Sequence, residues 1–417
     1  MPDLKNTCQL HIHISCLDRP GILAETLGLI APSRWNVLDI KQFVFNGLLN
    51  LSILLGGEDG VDGDPLGQTI VDFGKRKDMK VSVYPWQSDR RPDAPYKHRS
   101  VVTLLGANMD TSILQDFTST LAELDINIGR IEQLDYGDQH VFEFVIGTRE
   151  AHSSVDVLNA LVKFKESQDI DIAVQDDSMF RRNKRLIIFD ADMTFLQCEV
   201  IDELGKLAGK GEEMMKITRQ VVAGEVDFTE ALKDRVRLLQ GLPVAELEKL
   251  AERIPITPGA EDLVRILKYL GYKIAIVSGG FQYFIDRLKI KYGLDYGFAN
   301  QLEITNGQVS GNLTGKIIDA KAKEEILVSL AEKEGFTLKQ VVAVGDGAND
   351  IAMLARAGLG IAFNAKPIVQ KYARASINRH NLELILYFLG YSGKDLLELR
   401  NLISRRGDRG RPRPQEI

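Results

Sequence analysis

Apolar and polar positions divide the chain into stretches of different period. Gln9 to Cys16 (QLHIHISC) alternates, as a half-buried strand does. Ile22 to Ile30 repeats at helical spacing after a turn marked by Pro20-Gly21. Asn36 to Phe45 and Leu48 to Leu55 read as two strands, with Asn46-Gly47 between them as a hairpin signal. Asp64 to Lys77 reads as a second helix and Met79 to Tyr84 as a last strand. The order is βαββαβ, a split βαβ ferredoxin-like unit. Gln87 to His98 is polar, carries Pro92 and Pro95, and reads as a linker. The pattern then restarts. Ser100 to Leu105, Asn127 to Leu134, His140 to Ile146 and Asp169 to Val174 read as strands, with helices over Ser112 to Leu124 and Ser154 to Glu166. The same order at similar length predicts an internal duplication.

Beyond the charged stretch Gln175 to Lys184 the pattern changes. Leu186 to Phe189 is an unbroken apolar run, the mark of a strand buried on both faces of a parallel sheet. It runs into Asp190 and Asp192, at the strand end where α/β proteins place ligands. If the chain is still extended there, period 2 puts both carboxylates on one side. Held close, they repel unless a cation or shared proton intervenes. One reading is a nucleophile and a general acid/base beside Mg2+. A lone Asp-x-Asp is short and common, and by itself reads more readily as an ordinary polar turn. Glu199 to Arg253 then reads as helices with no strand among them, a cap over the strand end. Lys273 to Gly279 (KIAIVSG) is a second buried strand, ending in Ser278-Gly279-Gly280, a hydroxyl and approachable amides suited to an oxyanion. Lys323 lies in the helical run Ala320 to Leu330. Val341 to Val344 is a third strand, followed by Gly345-Asp346-Gly347-Ala348-Asn349-Asp350, whose carboxylates suit a hard divalent cation. Gly358 to Phe363 is a fourth.

Composition narrows the class. The 417 residues exceed one ordinary core, and 44% hydrophobic with 26% charged residues is a soluble globular balance. A net charge of -6 gives no bulk electrostatic case for nucleic acid or a membrane surface. Met1 to Thr7 is polar and charged, unlike a signal peptide. Cys8, Cys16 and Cys198 have neither metal-ligand nor disulfide spacing. The expectation is a cytoplasmic protein. His11 and His13 alternate along a strand and read as its partly exposed face. Arg405 to Ile417 holds five arginines with Gly and Pro, and reads as a disordered basic tail from 404.

The first βαββαβ unit, whose opening loop reads Asp18-Arg19-Pro20-Gly21-Ile22, resembles an ACT domain, a module that commonly binds amino acids. The second matches in pattern only, its loop being Gly106-Ala107-Asn108-Met109-Asp110. In the remainder, Asp190-x-Asp192-x-Thr194, Ser278, Lys323 and Gly345-Asp346-x-x-x-Asp350 stand in the order of the haloacid dehalogenase superfamily. The resemblance implies a doubly wound parallel sheet with a helical cap, preceded by two α+β ACT domains. The expected boundaries are 1–88, 97–177 and 184–395, with the cap at about 199–256. It also implies Asp190 as nucleophile, Asp192 as acid/base, and Ser278 and Lys323 on the phosphoryl oxygens. Mg2+ would be held by Asp190, Asp192 (main-chain carbonyl), Asp346 and Asp350. Glu199-Val200-Ile201-Asp202-Glu203, Lys233-Asp234-Arg235-Val236, Thr257-Pro258-Gly259-Ala260, Gly279 and Ala299-Asn300 narrow the resemblance to phosphoserine phosphatases. This adds Glu199 for a substrate ammonium, Arg235 for its carboxylate, Phe228 as an apolar cap contact, and Gly279 and Asn349 beside the substrate. Members commonly have serine where this chain has Met193.

Three activities fit these residues: phosphoserine hydrolysis, phosphoryl transfer to an alcohol such as homoserine, and a non-enzymatic amino-acid sensor. The intact set Asp190, Asp192, Ser278, Lys323, Asp346 and Asp350 favours an enzyme. The ACT resemblance implies a regulatory amino-acid site at Asp18, Pro20 and Gly21, and open ACT sheet edges call for pairing, within the chain between 8–86 and 99–176 or across a homodimer.

Overall fold

The computed structural model describes residues 9–33, 35–57, 63–86, 98–137, 139–148, 154–166, 168–222 and 227–409. Two compact units divide the chain, Met1–Pro95 and Tyr96–Ile417.

The first unit is one antiparallel sheet with two helices. Its strands are β1 (Gln9–Leu17), β2 (Trp35–Phe45), β3 (Leu48–Gly57) and β4 (Lys80–Trp86), in the order β2-β3-β1-β4. Ile12, Ile14, Leu51, Ile53 and Leu55 point to one face and pack with Ile22 and Ile70 from the helices Ile22–Ile30 and Asp64–Arg76. The β2–β3 hairpin turns on Asn46 and Gly47, whose φ of 48° and 77° are both left-handed, as a two-residue hairpin turn demands. His11 and His13 lie on β1, where His13 Nδ1 is 3.1 Å from Ser52 Oγ of β3. Strand β2 is exposed along its length except at Trp35.

The second unit opens with the same motif. Its strands β5 (His98–Gly106), β6 (Ile126–Tyr136), β7 (His140–Thr148) and β8 (Ile170–Asp176) lie in the order β8-β5-β7-β6, matching the first unit strand for strand. Here the sheet continues. β9 (Leu186–Phe189), β10 (Lys273–Phe281), β11 (Tyr296–Thr305), β12 (Gln308–Thr314), β13 (Val341–Gly345), β14 (Leu359–Phe363) and β15 (Ala375–Ile377) extend it to 11 strands. Strands β11-β10-β9-β13-β14-β15 run parallel, and β12 closes one side antiparallel. β15 joins β8 antiparallel, with Ala375 opposite Ala173 and Ser376 opposite Ile172.

The unbroken apolar runs have the physical cause expected of them. Leu186, Ile188, Val341 and Ala343 enter one hydrophobic cluster, while Ile187, Phe189, Val342 and Val344 enter another. Both faces are covered, so no position on these strands can be polar. Each large side chain buried this way contributes about 1.5–3 kcal/mol. Between β9 and β10 come the cap helices Val200–Leu207, Gly211–Val222, Phe228–Arg237 and Val244–Arg253. The segment read as a tail from 404 is helical at its start, within Gly393–Arg409, because Leu396, Leu399 and Ile403 repeat at helical spacing and pack on the core. Residues 410–417 of that segment lie outside the described residues. Among the described residues no helix is long and apolar enough to cross a membrane.

Candidate active site

Three neighbouring parallel strands end level with one another. Phe189 of β9 stands opposite Ile276 of β10 and Val344 of β13. Asp190, Ser278 and Asp346 therefore leave adjacent carboxyl ends, and Asp190 N–H still bonds Val344 O at 2.8 Å. The Asp190 carboxylate accepts from Ala191 N at 2.8 Å. A wide turn over Ala191–Phe195 follows, closed by Leu196 N to Ala191 O at 2.8 Å. Met193 sits on this turn at φ 56°, a left-handed conformation uncommon outside glycine, with its side chain largely exposed. The turn brings Asp192 back to the cap, where its Oδ1 accepts from Val200 N at 3.4 Å.

Lys323 is wholly buried. Its helix, Ala320–Lys333, is capped by Asp319, which accepts from Ala322 N at 2.8 Å. The Nζ lies 2.8 Å from Asp190 Oδ1 and 2.7 Å from Asp350 Oδ1. Asp350 Oδ2 accepts from Gly347 N at 3.0 Å, and Asp346 Oδ1 from Thr194 Oγ1 at 2.9 Å. Two glycines are required by close approach. A Cβ on Gly345 would stand 2.5 Å from Asp350, and one on Gly280 would stand 3.0 Å from both Asp192 Oδ2 and Ser278 Oγ. Ser278 Oγ accepts from Gly280 N at 2.8 Å, and Asn300 fixes the same turn through Gly279 O at 2.8 Å.

Asp190 and Asp350 thus share one ammonium, that of Lys323, whose charge also acts on Asp192 and Asp346. Burial, then the charge of Asp350, pushes the Asp190 carboxyl well up. Burial and the Glu199 charge raise Asp192 to about 8. Burial and Asp350 raise Asp346 to about 7. Oxygen atoms of Asp190, Asp346 and Asp350 all lie within 4.8 Å of one another. Hard carboxylate donors with unspent negative charge fit a divalent cation such as Mg2+.

The cap supplies groups of both signs. Glu199 precedes the helix Val200–Leu207 as its N-cap; loss of hydration in the cleft and the Asp202 charge raise its carboxyl, and Arg235 opposes the rise. Arg235 is 9% exposed, with a buried Nε that has no hydrogen-bond partner. Phe228 opens the helix Phe228–Arg237, and its side chain lies outside the described residues. Asn349 Oδ1 lies over Gly347, 2.2 Å from where a Cβ would stand.

Comparison with known proteins fits this arrangement. Residues 184–358 match the haloacid dehalogenase-like hydrolases, and residues 9–84 match the ACT domain. The chain is 36% identical over 397 residues to a phosphoserine phosphatase of Streptomyces coelicolor, covering 95% of each chain. The chain belongs to the phosphoserine phosphatase family. A second relative, from Mycobacterium tuberculosis, is 34% identical over 91% of this chain and 92% of its own. The crystal structure of a probable phosphoserine phosphatase from Vibrio cholerae, unliganded form, aligns at a TM-score of 0.57 and 30% identity, over 76% of this chain and 93% of that one.

Within this phosphoserine phosphatase-family chain, Asp190, Asp350 and Lys323 come into direct contact, and Asp192 and Ser278 meet across Gly280. Glu199, Arg235 and Asp202 cluster at the cap. Asp18, Pro20 and Gly21 lie in the first unit, where Gly21 at φ 96° precedes the helix Ile22–Ile30 without a side-chain cap. Four supporting residues carry roles the sequence did not assign. Thr194 holds Asp346, Thr257 Oγ1 holds Thr194 O at 2.7 Å, Asn300 holds Gly279, and Asp202 flanks Arg235. Thr194, Thr257, Asp202 and Asn300 all stood in quoted motifs; their signal was present, but their partners are remote in sequence.

Proposed function

We propose that the chain hydrolyses O-phospho-L-serine to L-serine and phosphate through an aspartyl phosphate on Asp190. The supporting observation is the pairing of a buried Asp190–Lys323–Asp350 cluster with a cap Arg235 that is 9% exposed and whose buried Nε has no hydrogen-bond partner. One end suits a phosphoryl group and the other an α-carboxylate. Asp190 attacks phosphorus through a carboxylate oxygen as the bond from phosphorus to the serine oxygen breaks. Asp192, whose carboxyl burial and the Glu199 charge push up, delivers a proton to the departing alkoxide. The resulting Asp192 carboxylate takes a proton from water, whose oxygen displaces Asp190 from phosphorus. The Ser278 hydroxyl and Lys323 ammonium hold phosphoryl oxygens throughout. Asp190, Asp346 and Asp350 with the Asp192 carbonyl would hold Mg2+, which supplies positive charge against the phosphate and the carboxylates. Glu199 receives the substrate ammonium.

The ACT domain takes an amino-acid effector at Asp18-Arg19-Pro20-Gly21, and serine, the product, is the natural candidate. The exposed apolar residues Ile40, Phe43 and Phe45 of β2 support a homodimer.

Asp190→Asn keeps the shape and removes the nucleophile, so phosphate release should vanish while the melting curve stays cooperative. A folded Asp190→Asn enzyme with substantial turnover overturns the mechanism. Adding homoserine to the wild type and looking for phosphohomoserine separates hydrolysis from transfer.

A further inference from the structure

The first cap helix carries a second acid one turn after Glu199. Asp202 lies three residues on, on the same side of the helix Val200–Leu207, and its N–H donates to Glu199 O at 3.1 Å. Its Oδ1 is buried and has no hydrogen-bond partner. The same is true of Arg235 Nε, on the helix Phe228–Arg237. Burial pushes the Asp202 carboxyl up, and the Arg235 guanidinium is the largest charge opposing that rise. A buried donor and a buried acceptor, each unmatched, are costly, and here they are near neighbours of complementary chemistry. The other charged groups acting on Asp202 are spoken for, since Lys206 pairs with Glu203 at 2.5 Å.

A carboxylate bound at Nε leaves both terminal amino groups of a guanidinium free. Those two groups form the fork that meets another carboxylate in parallel hydrogen bonds. We propose that Asp202 is a positioning residue for Arg235: in the substrate complex Asp202 Oδ1 accepts from Arg235 Nε–H and aims the guanidinium fork at the substrate's α-carboxylate. Glu199 is left for the ammonium. The proposal rests on Arg235 being the carboxylate site.

The test is a double-mutant cycle on full-length enzyme. kcat and KM for O-phospho-L-serine are measured in wild type, Asp202→Ala, Asp202→Asn, Arg235→Ala and the Asp202→Ala/Arg235→Ala double variant. Circular dichroism and melting check that each is folded. Asp202→Ala should lower kcat/KM about tenfold or more. Asp202→Asn should lose less, because its amide oxygen still accepts from Nε and its near-identical shape preserves the helix. The double variant should fall no further than Arg235→Ala alone, since Asp202 acts only through Arg235. Losses that multiply in the double variant overturn the proposal, as does a wild-type kcat/KM in Asp202→Ala. Arg235→Ala is also compared on phosphoethanolamine, which lacks the carboxylate. Equal losses on both substrates sink the carboxylate reading itself, and Asp202's role with it. A larger loss on O-phospho-L-serine, with Asp202→Ala uncoupled, sinks only Asp202's role.

Discussion

The chain contains the βαββαβ motif twice, and the two copies have been put to different physical use. In the first unit β4 is a sheet edge, and β2 is the other. In the second, β8, the counterpart of β4, is bonded to β15 and so continues into the catalytic sheet. The loops before the first helix differ in the same sense. Gly21 stands at φ 96° and no side chain caps that helix by a hydrogen bond, while the Arg19–Glu25 pair, at 2.8 and 2.9 Å, lies beside the turn. Asp110 occupies the matching place, and its own carboxylate accepts from Ser112 N and Ile113 N at 2.9 and 3.1 Å. One copy has no side-chain cap on its helix terminus; the other supplies one from Asp110. A repeated fold therefore says little about a repeated function. What decides is which edge and which helix end are left unsatisfied.

The largest expected effect comes from cutting at the two boundaries. A fragment starting at Tyr96 should be soluble and should release phosphate. A fragment starting near Arg182 should not remain soluble. It strips β15 of β8 and removes Asp171, whose carboxylate binds Asn378 N at 2.8 Å and Arg379 Nη1 at 2.9 Å. It also removes Gln175, which donates to Phe388 O at 2.8 Å. The exposed edge would then template aggregation. Size-exclusion chromatography and a phosphate-release assay separate the outcomes. A monodisperse 182–417 fragment as stable as the longer one would mean that the second copy is as dispensable as the first.

Asp171→Ala tests the same seam by one side chain. Asp171 is fully buried, and its removal takes the Nη1 partner of Arg379, itself mostly buried, leaving only the exposed Asp169 at Nη2. Breaking such a pair costs about 3–5 kcal/mol. Urea unfolding of the Tyr96 fragment measures it, and a change below about 1 kcal/mol would show the seam to be loosely held.

How much of this could be read in the chain depends on which interactions leave a local trace. The strands β9, β10 and β13 are legible because burial on both faces makes their middle residues, Leu186–Phe189, Ile274–Val277 and Val341–Val344, an unbroken apolar run. The first βαββαβ order is legible because one face of its sheet is dry; in the second, where β5 and β8 are buried on both faces, the restart of the same order carries it. The joining of β8 to β15 was not legible: the seam partners of Asp171 and Gln175 on β8 (Asn378, Arg379 and Phe388) are some two hundred residues away in the chain, and β15 has only 3 residues. At the site, Asp190, Ser278 and Asp346 were legible as strand-end residues. The full burial of Lys323 was not, because a lysine on a helix usually faces solvent, and the two carboxylates that hold it come from elsewhere in the chain. Arg235 and Asp202, whose charges act on each other, come from helices separated by another, so spacing could not pair them.

Gly21→Asp probes the uncapped helix terminus of the first copy. The variant places a carboxylate where a ligand carboxylate would bind, and serine inhibition should weaken at least about tenfold while the uninhibited rate stays within about twofold. The residue's φ of 96° means any side chain also strains the backbone. Gly21→Ala carries the strain without the charge, so it should retain more of the inhibition than Gly21→Asp. Identical serine inhibition in wild type and both variants would place the inhibition at the catalytic site, leaving the first copy a role in assembly.

The smallest effect belongs to Asp110→Ala in the second copy. Asp110 caps the helix Thr111–Glu123, and hydrogen bonds from Ser112 and Ile113 hold its carboxyl below the usual carboxylate range. A group with a lowered folded pKa stabilises above its unfolded value and loses that contribution as pH falls through the folded one. The melting temperature of Asp110→Ala should therefore sit about 2 °C below wild type at pH 7, and the gap should close below about pH 4. The variant also frees the amides of Ser112 and Ile113. If the second copy were only a blocked version of the first, serine should now raise the variant's melting temperature saturably. It should not, because Asp110 has an extended backbone, φ -79° and ψ 175°, where Gly21 turns left-handed. The chain then enters the two helices along different paths, and freeing the amides does not recreate the first copy's turn. A saturable serine shift in Asp110→Ala, absent from wild type, would make the Asp110 cap the whole difference between the two loops.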